Sequence, residues 1–288
     1  SLILTHTADT TAHADIVQSM ASGQTIVTAA FAEPNNEDGW TQPRALAERH
    51  GGGWHFSGRK VDVLAVAEAD IALVTASIAG GDSGLFMVDL DADCVVRPSE
   101  SIDPSRRIGT LELRQAEATL IDCGPTHAER MERALSAVLV AQAAETVGAT
   151  GACLDATLGY LKMRHQFGQP IGSYQAIQHR CADLYVALVA AKAATTAAAR
   201  DLFDSPEDHR VLASSALSLA VDNALNVAEA AVQLHGAIGY TWEHDTHLFL
   251  RRALLSSRIW GDSSAHRRQA ARVLWPTSAT DRDAEVED

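Results

Sequence analysis

Four residues stand out for what they could hold. Arg164 and Phe167 lie in Arg164-His165-Gln166-Phe167-Gly168-Gln169-Pro170-Ile171-Gly172. Gln233 and Gly236 lie about seventy residues later, in Gln233-Leu234-His235-Gly236-Ala237-Ile238-Gly239-Tyr240. A guanidinium offers a planar fork to phosphate, and a phenyl ring offers a flat apolar surface. A carboxamide adds hydrogen bonds, and a glycine lets backbone come close to a ligand. Plainer uses exist: Arg164 can neutralise a helix C-terminus, and Phe167 can be core. For acid–base work the candidates are Glu145 and Asp262, although Asp262 with Ser263 and Ser264 is equally a helix cap.

Other chemistry finds little support. Cys94, Cys123, Cys153 and Cys181 never pair as C-x-x-C, so structural zinc is not expected, and free thiols point to a reducing, cytoplasmic setting. His244 and His247 lack Cys or carboxylate company at metal spacing and read as surface histidines. The net charge of −14 argues against a phosphate-backbone binder. No uninterrupted apolar run approaches the ~20 residues of a bilayer span, so no membrane crossing is expected.

The elements that must position these residues divide near residue 124. Thr10 to Ala21 reads as a short helix closed by Ser22-Gly23. From Gln24 to Cys123 short apolar runs alternate with turn clusters such as Asn35-Asn36-Glu37-Asp38-Gly39, Gly51-Gly52-Gly53 and Gly80-Gly81-Asp82, predicting an antiparallel sheet or barrel. Val61, Val63 and Ala65 supply the period-two alternation there. After Gly124-Pro125 the chain is Ala-rich and helical, with a long helix over Ala128–Met163. Ser173 is placed to cap the next helix, whose inward stripe is Ile177, Cys181, Leu184, Leu188 and Ala191. Ser205-Pro206-Glu207 opens a third helix with Leu212, Ala216, Leu219, Asn223 and Ala230 on one side, ended by Gly236 and Gly239. Asp245 can cap a fourth and Asp262 a last short one. The fold class is therefore α+β and multidomain: a β middle domain followed by an antiparallel helical bundle.

The two long motifs, in this order, resemble the C-terminal helical domain of acyl-CoA dehydrogenases. The second continues through Thr241-Trp242-Glu243 to Leu250-Arg251-Arg252-Ala253. Ala32-Glu33-Pro34 and Ser57-Gly58-Arg59-Lys60 resemble that family's middle β-domain. The resemblance covers Thr10 to about Leu274. It implies residues 1–23 as the last helix of a largely missing N-terminal helical domain, 24–123 as the β-domain, 124–276 as a four-helix-type bundle and 277–288 as an acidic disordered tail. With no initiator Met, the sequence reads as a fragment or a trimmed chain. The resemblance implies FAD as cofactor. Arg164, Phe167, Gln233 and Gly236 would then contact the flavin of a neighbouring subunit, and Ala237 stands where the family has a second glycine. Glu243 and Arg251 match a pair expected to form a structural salt bridge.

The same resemblance exposes departures. Asp62-Val63-Leu64 replaces a Trp-Ile-Thr segment that packs on the isoalloxazine ring, and an exposed-face Asp supplies no aromatic wall. The glutamate base of the family would fall at Trp260, or in its alternative place at Val138. Neither is an acid, and Glu145 lies two helical turns, ~10 Å, from Val138. The expectation is an α,β-dehydrogenating acyl-CoA dehydrogenase subunit, catalytically deficient, in a hetero-oligomer completing a related chain's FAD site. Two alternatives stand: a homo-oligomeric enzyme with Asp262 or Glu145 as a displaced base, and a flavin-free structural or regulatory homologue. The implied partners are an acyl-CoA of the fatty-acid or steroid side-chain class, a related dehydrogenase chain or a second copy, and an electron-transfer flavoprotein.

Overall fold

A computed structural model of the chain describes residues 3–7, 13–36, 39–90, 94–204 and 209–275. The chain forms two compact units, Ser1–Leu135 and Ser136–Asp288.

In the first unit, α1 (Ala14–Ser22) stops at Gly23. Gly23 turns left-handed at φ 75°, and its N–H bonds back to the Met20 carbonyl. The expected start at Thr10 lies outside the described residues. Among the described residues seven strands follow: β1 (Val27–Ala30), β2 (Leu46–His50), β3 (Gly53–Leu64), β4 (Ile71–Ile78), β5 (Ser83–Asp89), β6 (Cys94–Ser99) and β7 (Ile108–Cys123). Their pairings close a ring, β4–β2–β3–β7–β5 and back to β4, with β1 added on β4 and β6 on β7. The barrel alternative is thus realised. It is not wholly antiparallel, because β1 and β2 both run parallel to β4. Phe56, Phe86, Val74, Leu111 and Leu113 fill its interior. Gly51 and Gly52, both at positive φ, make the two-residue turn from β2 to β3 that primed hairpin geometry demands. The alternation through Val61, Val63 and Ala65 is broken. Asp62 at φ 53° and Ala65 at φ 50° are both left-handed, and the β3–β7 register slips between Lys60 and Val63.

The second unit takes up α2 (His127–Met163), which begins in the first unit, followed by the hairpin strands β8 (His165–Gln166) and β9 (Gln169–Pro170). Then come α3 (Gln175–Asp204), α4 (His209–His235), α5 (Thr246–Ser256) and α6 (Ser263–Leu274). The α4 helix is central, touching α3, α5 and α6. Cys153 and Leu154 of α2 meet Leu184 of α3 and Val227, Ala230 and Ala231 of α4 in one core cluster. The alanines let these helices pack closely.

Three expectations about these helices are corrected. Ser173 ends a short 3-10 turn and its hydroxyl donates to the Pro170 carbonyl, so it does not cap α3. Leu219 is 47% exposed while its neighbour Leu217 is fully buried, which shifts the inner face of α4. Asp245 makes no capping bond; the His244 ring accepts from the Thr246 N–H instead. Asp262 does cap α6, accepting from the Ala265 N–H at 2.7 Å. The Ser205-Pro206-Glu207 start of the third helix and the tail from 277 lie outside the described residues.

By length and composition alone, α2, α3 (over Gln175–Leu202) and α4 (continued to Tyr240) are apolar enough to cross a bilayer. The sequence-based expectation missed this because single polar residues interrupt every run of alanines. The most apolar windows of α2 and α4 are 50% and 67% buried in protein, whereas that of α3 is 22% buried.

Candidate functional site

The first motif folds as a hairpin at the end of α2. Its two turn residues, Phe167 at φ 53° and Gly168 at φ 82°, are both left-handed. A two-residue turn of this kind suits Asn-Gly or Gly-Gly; a phenylalanine in it is strained by about 1–2 kcal/mol. The ring is also 92% exposed, so it is not the core residue of the plainer account. A strained backbone that displays an apolar ring to solvent makes Phe167 a candidate functional position. Arg164, just before the hairpin, is exposed, and its guanidinium pairs with no other described residue.

The second motif begins in the last turn of α4. Gln233 is exposed and its amide bonds no other described residue. Gly236 ends the helix at φ 66°, and a Cβ there would meet nothing within 4 Å, so backbone conformation rather than space requires the glycine. Gly239 is the sterically required one, since a Cβ would stand 2.8 Å from the Val232 carbonyl.

Tyr160 and His235 bring the two motifs together. Their rings stack at 4.3 Å with planes 23° apart, and the Tyr160 hydroxyl donates to the His235 carbonyl at 3.4 Å. Tyr160 is one turn before Arg164, whose N–H donates to the Tyr160 carbonyl at 2.9 Å. His235 lies between Gln233 and Gly236. Cation, ring, amide and glycine thus share one end of the bundle. His235 is buried, its Nδ1 lies 2.7 Å from the Ala231 carbonyl, and burial holds its pKa below the ordinary histidine value.

The histidines downstream are not surface residues. The His244 ring sits 4.4 Å from that of His235, and His247 is buried edge-on to Trp242 at 4.6 Å. His244 is half-buried against the rings of Tyr160 and His235, neighbours that spacing alone could not show. No cluster of three or more metal-ligating side chains occurs among the described residues. The expected Glu243–Arg251 ion pair does not form; Arg251 lies over the Trp242 ring at 5.6 Å.

The acid–base candidates are otherwise engaged. Glu145 is bound to Arg252 at 2.8 Å. Asp262 caps α6, and the Ala265 N–H holds its carboxyl below the usual range. Trp260 and Val138 are half-buried and carry no proton-accepting side chain. A cavity of about 10 Å³ beside Glu145, Thr146, Thr150 and Cys153 has room for roughly one water. Burial raises the Cys153 thiol to about 12, so it is inert.

In the first unit one buried constellation escaped the sequence. Glu33 is a hub, not merely a turn residue. It takes Lys60 Nζ at 2.8 Å, the Arg44 N–H at 2.7 Å, the Ala45 N–H at 3.0 Å and the Asn36 amide at 2.9 Å. Lys60 is fully buried and also reaches Thr75 at 3.3 Å. Burial outweighs the ion pair and lowers its pKa to about 8. The available signal was an Asp/Glu–Pro turn plus a lysine at an inward strand position.

Residues 129–275 match the family described as acyl-CoA dehydrogenase, C-terminal domain. Acyl-CoA dehydrogenase IpdE2 of Mycobacterium tuberculosis is 35% identical over 220 residues, aligning 68% of this chain with 64% of that protein. Acyl-CoA dehydrogenase FadE34 of the same organism is 37% identical over 199 residues, 68% of this chain and 26% of its own length. The chain thus spans less than two thirds of either relative. Among solved structures, the Tcur3481-Tcur3483 steroid ACAD G363A variant superposes with a TM-score of 0.85 at 28% identity, covering 95% of this chain and 73% of that one. Butyryl-CoA dehydrogenase from Megasphaera elsdenii shares the fold, with a TM-score of 0.86 at 20% identity over 94% and 74% of the two chains. The chain belongs to the acyl-CoA dehydrogenase family.

Proposed function

We propose that this chain is a catalytically deficient subunit that completes the FAD site of a related acyl-CoA dehydrogenase chain. The carrying observation is the set at one end of the bundle: exposed Arg164 and Gln233, without side-chain partners among the described residues, beside a Phe167 ring held out in left-handed backbone. A diphosphate needs a cation and amide donors, and an adenine needs a flat apolar face; these residues supply both. They fit that half of the cofactor. The flavin-ring half finds less in this chain, because Asp62 sits in a left-handed bulge where an aromatic wall is needed.

When bound, FAD supplies acceptance of a hydride from the acyl β-carbon. The matching α-proton needs a base within ~3 Å. Trp260 and Val138 cannot serve, Glu145 is committed to Arg252, and Asp262 to its helix. The base therefore comes from the partner chain. In this account residues 24–123 and 124–276 act as the β-domain and bundle, the setting is cytoplasmic, and the acceptor is an electron-transfer flavoprotein. The name of the steroid ACAD relative favours a steroid-type acyl-CoA as substrate.

Purification alone and with a co-expressed homologous chain tests the proposal. The expected result is a colourless single chain and a yellow, dye-reducing complex that loses FAD on Arg164→Ala. Acyl-CoA-dependent dye reduction by the single chain would favour the self-sufficient alternative, and a stable complex without FAD the structural one.

A further inference from the structure

His235 joins the two motifs and can change charge. It is 4% exposed, and ring centre to ring centre it lies 4.3 Å from Tyr160 and 4.4 Å from His244. Its Nδ1 faces the Ala231 carbonyl and so carries the ring hydrogen, which leaves the lone pair on Nε2. Nε2 is shut off from solvent and finds no hydrogen-bond partner among the described residues. His244 is set the other way. Its Nδ1 accepts from the Thr246 N–H, so its neutral ring carries the hydrogen on Nε2.

A second proton on His235 fits nothing around it. It would place on Nε2 an N–H without an acceptor, and in the bundle a cation without a carboxylate. The titratable groups whose rings face it are Tyr160 of α2 and His244 of the loop before α5. Around them Lys162, Arg164, Tyr240, Glu243 and Asp245 are exposed, while His247 and Arg251 of α5 pack on Trp242. Burial pushes the His235 pKa below its ordinary 6.5; the Ala231 carbonyl opposes this and His244 adds to it. A ring freed from the stack therefore takes the proton first. The stack's contribution is complete above 6.5 and is lost as pH falls through the lower folded value. Tyr160 lies one turn before Arg164, and His235 lies between Gln233 and Gly236, so that loss reaches both motifs.

We infer that His235 is a positioning residue that holds Arg164, Gln233 and Gly236 together only while its ring is uncharged, so that acid loosens all three at once. What this does to FAD rests on the proposed clamp. The coupling of the ring stack to a proton does not.

Two measurements test the two parts separately. In the complex with a related acyl-CoA dehydrogenase chain, FAD release should be about tenfold faster at about pH 5.5 than at about pH 7.5. His235→Phe, which keeps a ring on Tyr160 but takes no proton, should release FAD at one rate across that range. In the wild-type chain alone, NMR of labelled His and Tyr side chains should show His235 titrating below 6.5, with the Tyr160 signals moving along the same curve. Equal release at the two pH values, an acid response that His235→Phe retains, or a His235 titration that leaves the Tyr160 signals in place overturns the inference. A complex without FAD at either pH overturns the clamp instead, and the NMR curve then decides whether the bundle end opens with acid.

Discussion

Tyr160 stacks on His235 at 4.3 Å, and through this pair the end of α2 fixes the end of α4. Arg164 follows the first ring by one turn; Gln233 and Gly236 flank the second. Tyr160→Leu keeps apolar volume but removes the stack, which should cost about 1 kcal/mol of stability. Because it loosens both motifs at once, FAD retention in the complex should fall as well. Urea titration and FAD dissociation rate measure the two effects. Unchanged FAD retention would show that the stack supports the fold alone.

Phe167 makes stability and function pull in opposite directions. Phe167→Gly relieves a left-handed phenylalanine in a solvent-exposed turn, with an expected gain of about 1 kcal/mol. On the proposed role, the same change removes the ring offered to adenine, so the complex should release FAD faster. Thermal midpoint and flavin release, read on one variant, should move in these opposite senses.

Glu33 and Lys60 form a buried ion pair in the barrel unit. Glu33→Ala leaves the Lys60 charge uncompensated and should cost about 3–5 kcal/mol, whereas Lys60→Met should cost less because Glu33 keeps the Arg44 and Ala45 N–H groups and the Asn36 amide. The pH dependence follows from the shifts. Lys60 and its backbone and amide donors hold the Glu33 carboxyl below its ordinary 4.5, despite the opposing effect of burial. The unfolded chain therefore takes up that proton first. Its stabilising contribution is complete above 4.5 and is lost as pH falls through the lower folded value. Lys60, at about 8 when folded against 10.5 ordinarily, adds a contribution that rises with pH between those values. Denaturation of wild type and Lys60→Met across pH 3 to 10 checks both windows.

Glu145 and Arg252 are each partly exposed, and their ion pair should be worth at most about 1 kcal/mol. Glu145→Gln should accordingly leave folding nearly intact and leave turnover of the complex unchanged. A loss of turnover by orders of magnitude with retained FAD would restore Glu145 as a displaced base.

What the sequence showed and what it hid have physical causes. Helix stops written in backbone conformation were legible: Gly23 and Gly236 are both left-handed, and Asp262 caps as its position suggested. Arg164, Phe167, Gln233 and Gly236 came to notice through the family resemblance of their two motifs, and the structure places all four at element ends. The inner face of α4 was not legible, because a helix with alanine all round has little periodicity to separate Leu217 from Leu219. Caps chosen by competition were also hidden: Ser173 bonds back to Pro170, and His244 displaces Asp245. Glu33 and Lys60 are 27 residues apart, and only the barrel's closure makes them partners. The parallel pairings of β4 with β1 and β2 come from the same closure.

On the proposed function, this chain contributes to a flavin site that it cannot complete. Native mass spectrometry with a flavin absorbance spectrum, on the chain alone and with a related acyl-CoA dehydrogenase chain, tests it most directly. The expected result is no FAD mass and no yellow colour alone. With the partner, FAD should be present in the complex and lost when this chain carries Arg164→Ala. A chain that holds FAD alone and reduces dye with acyl-CoA would contradict the account.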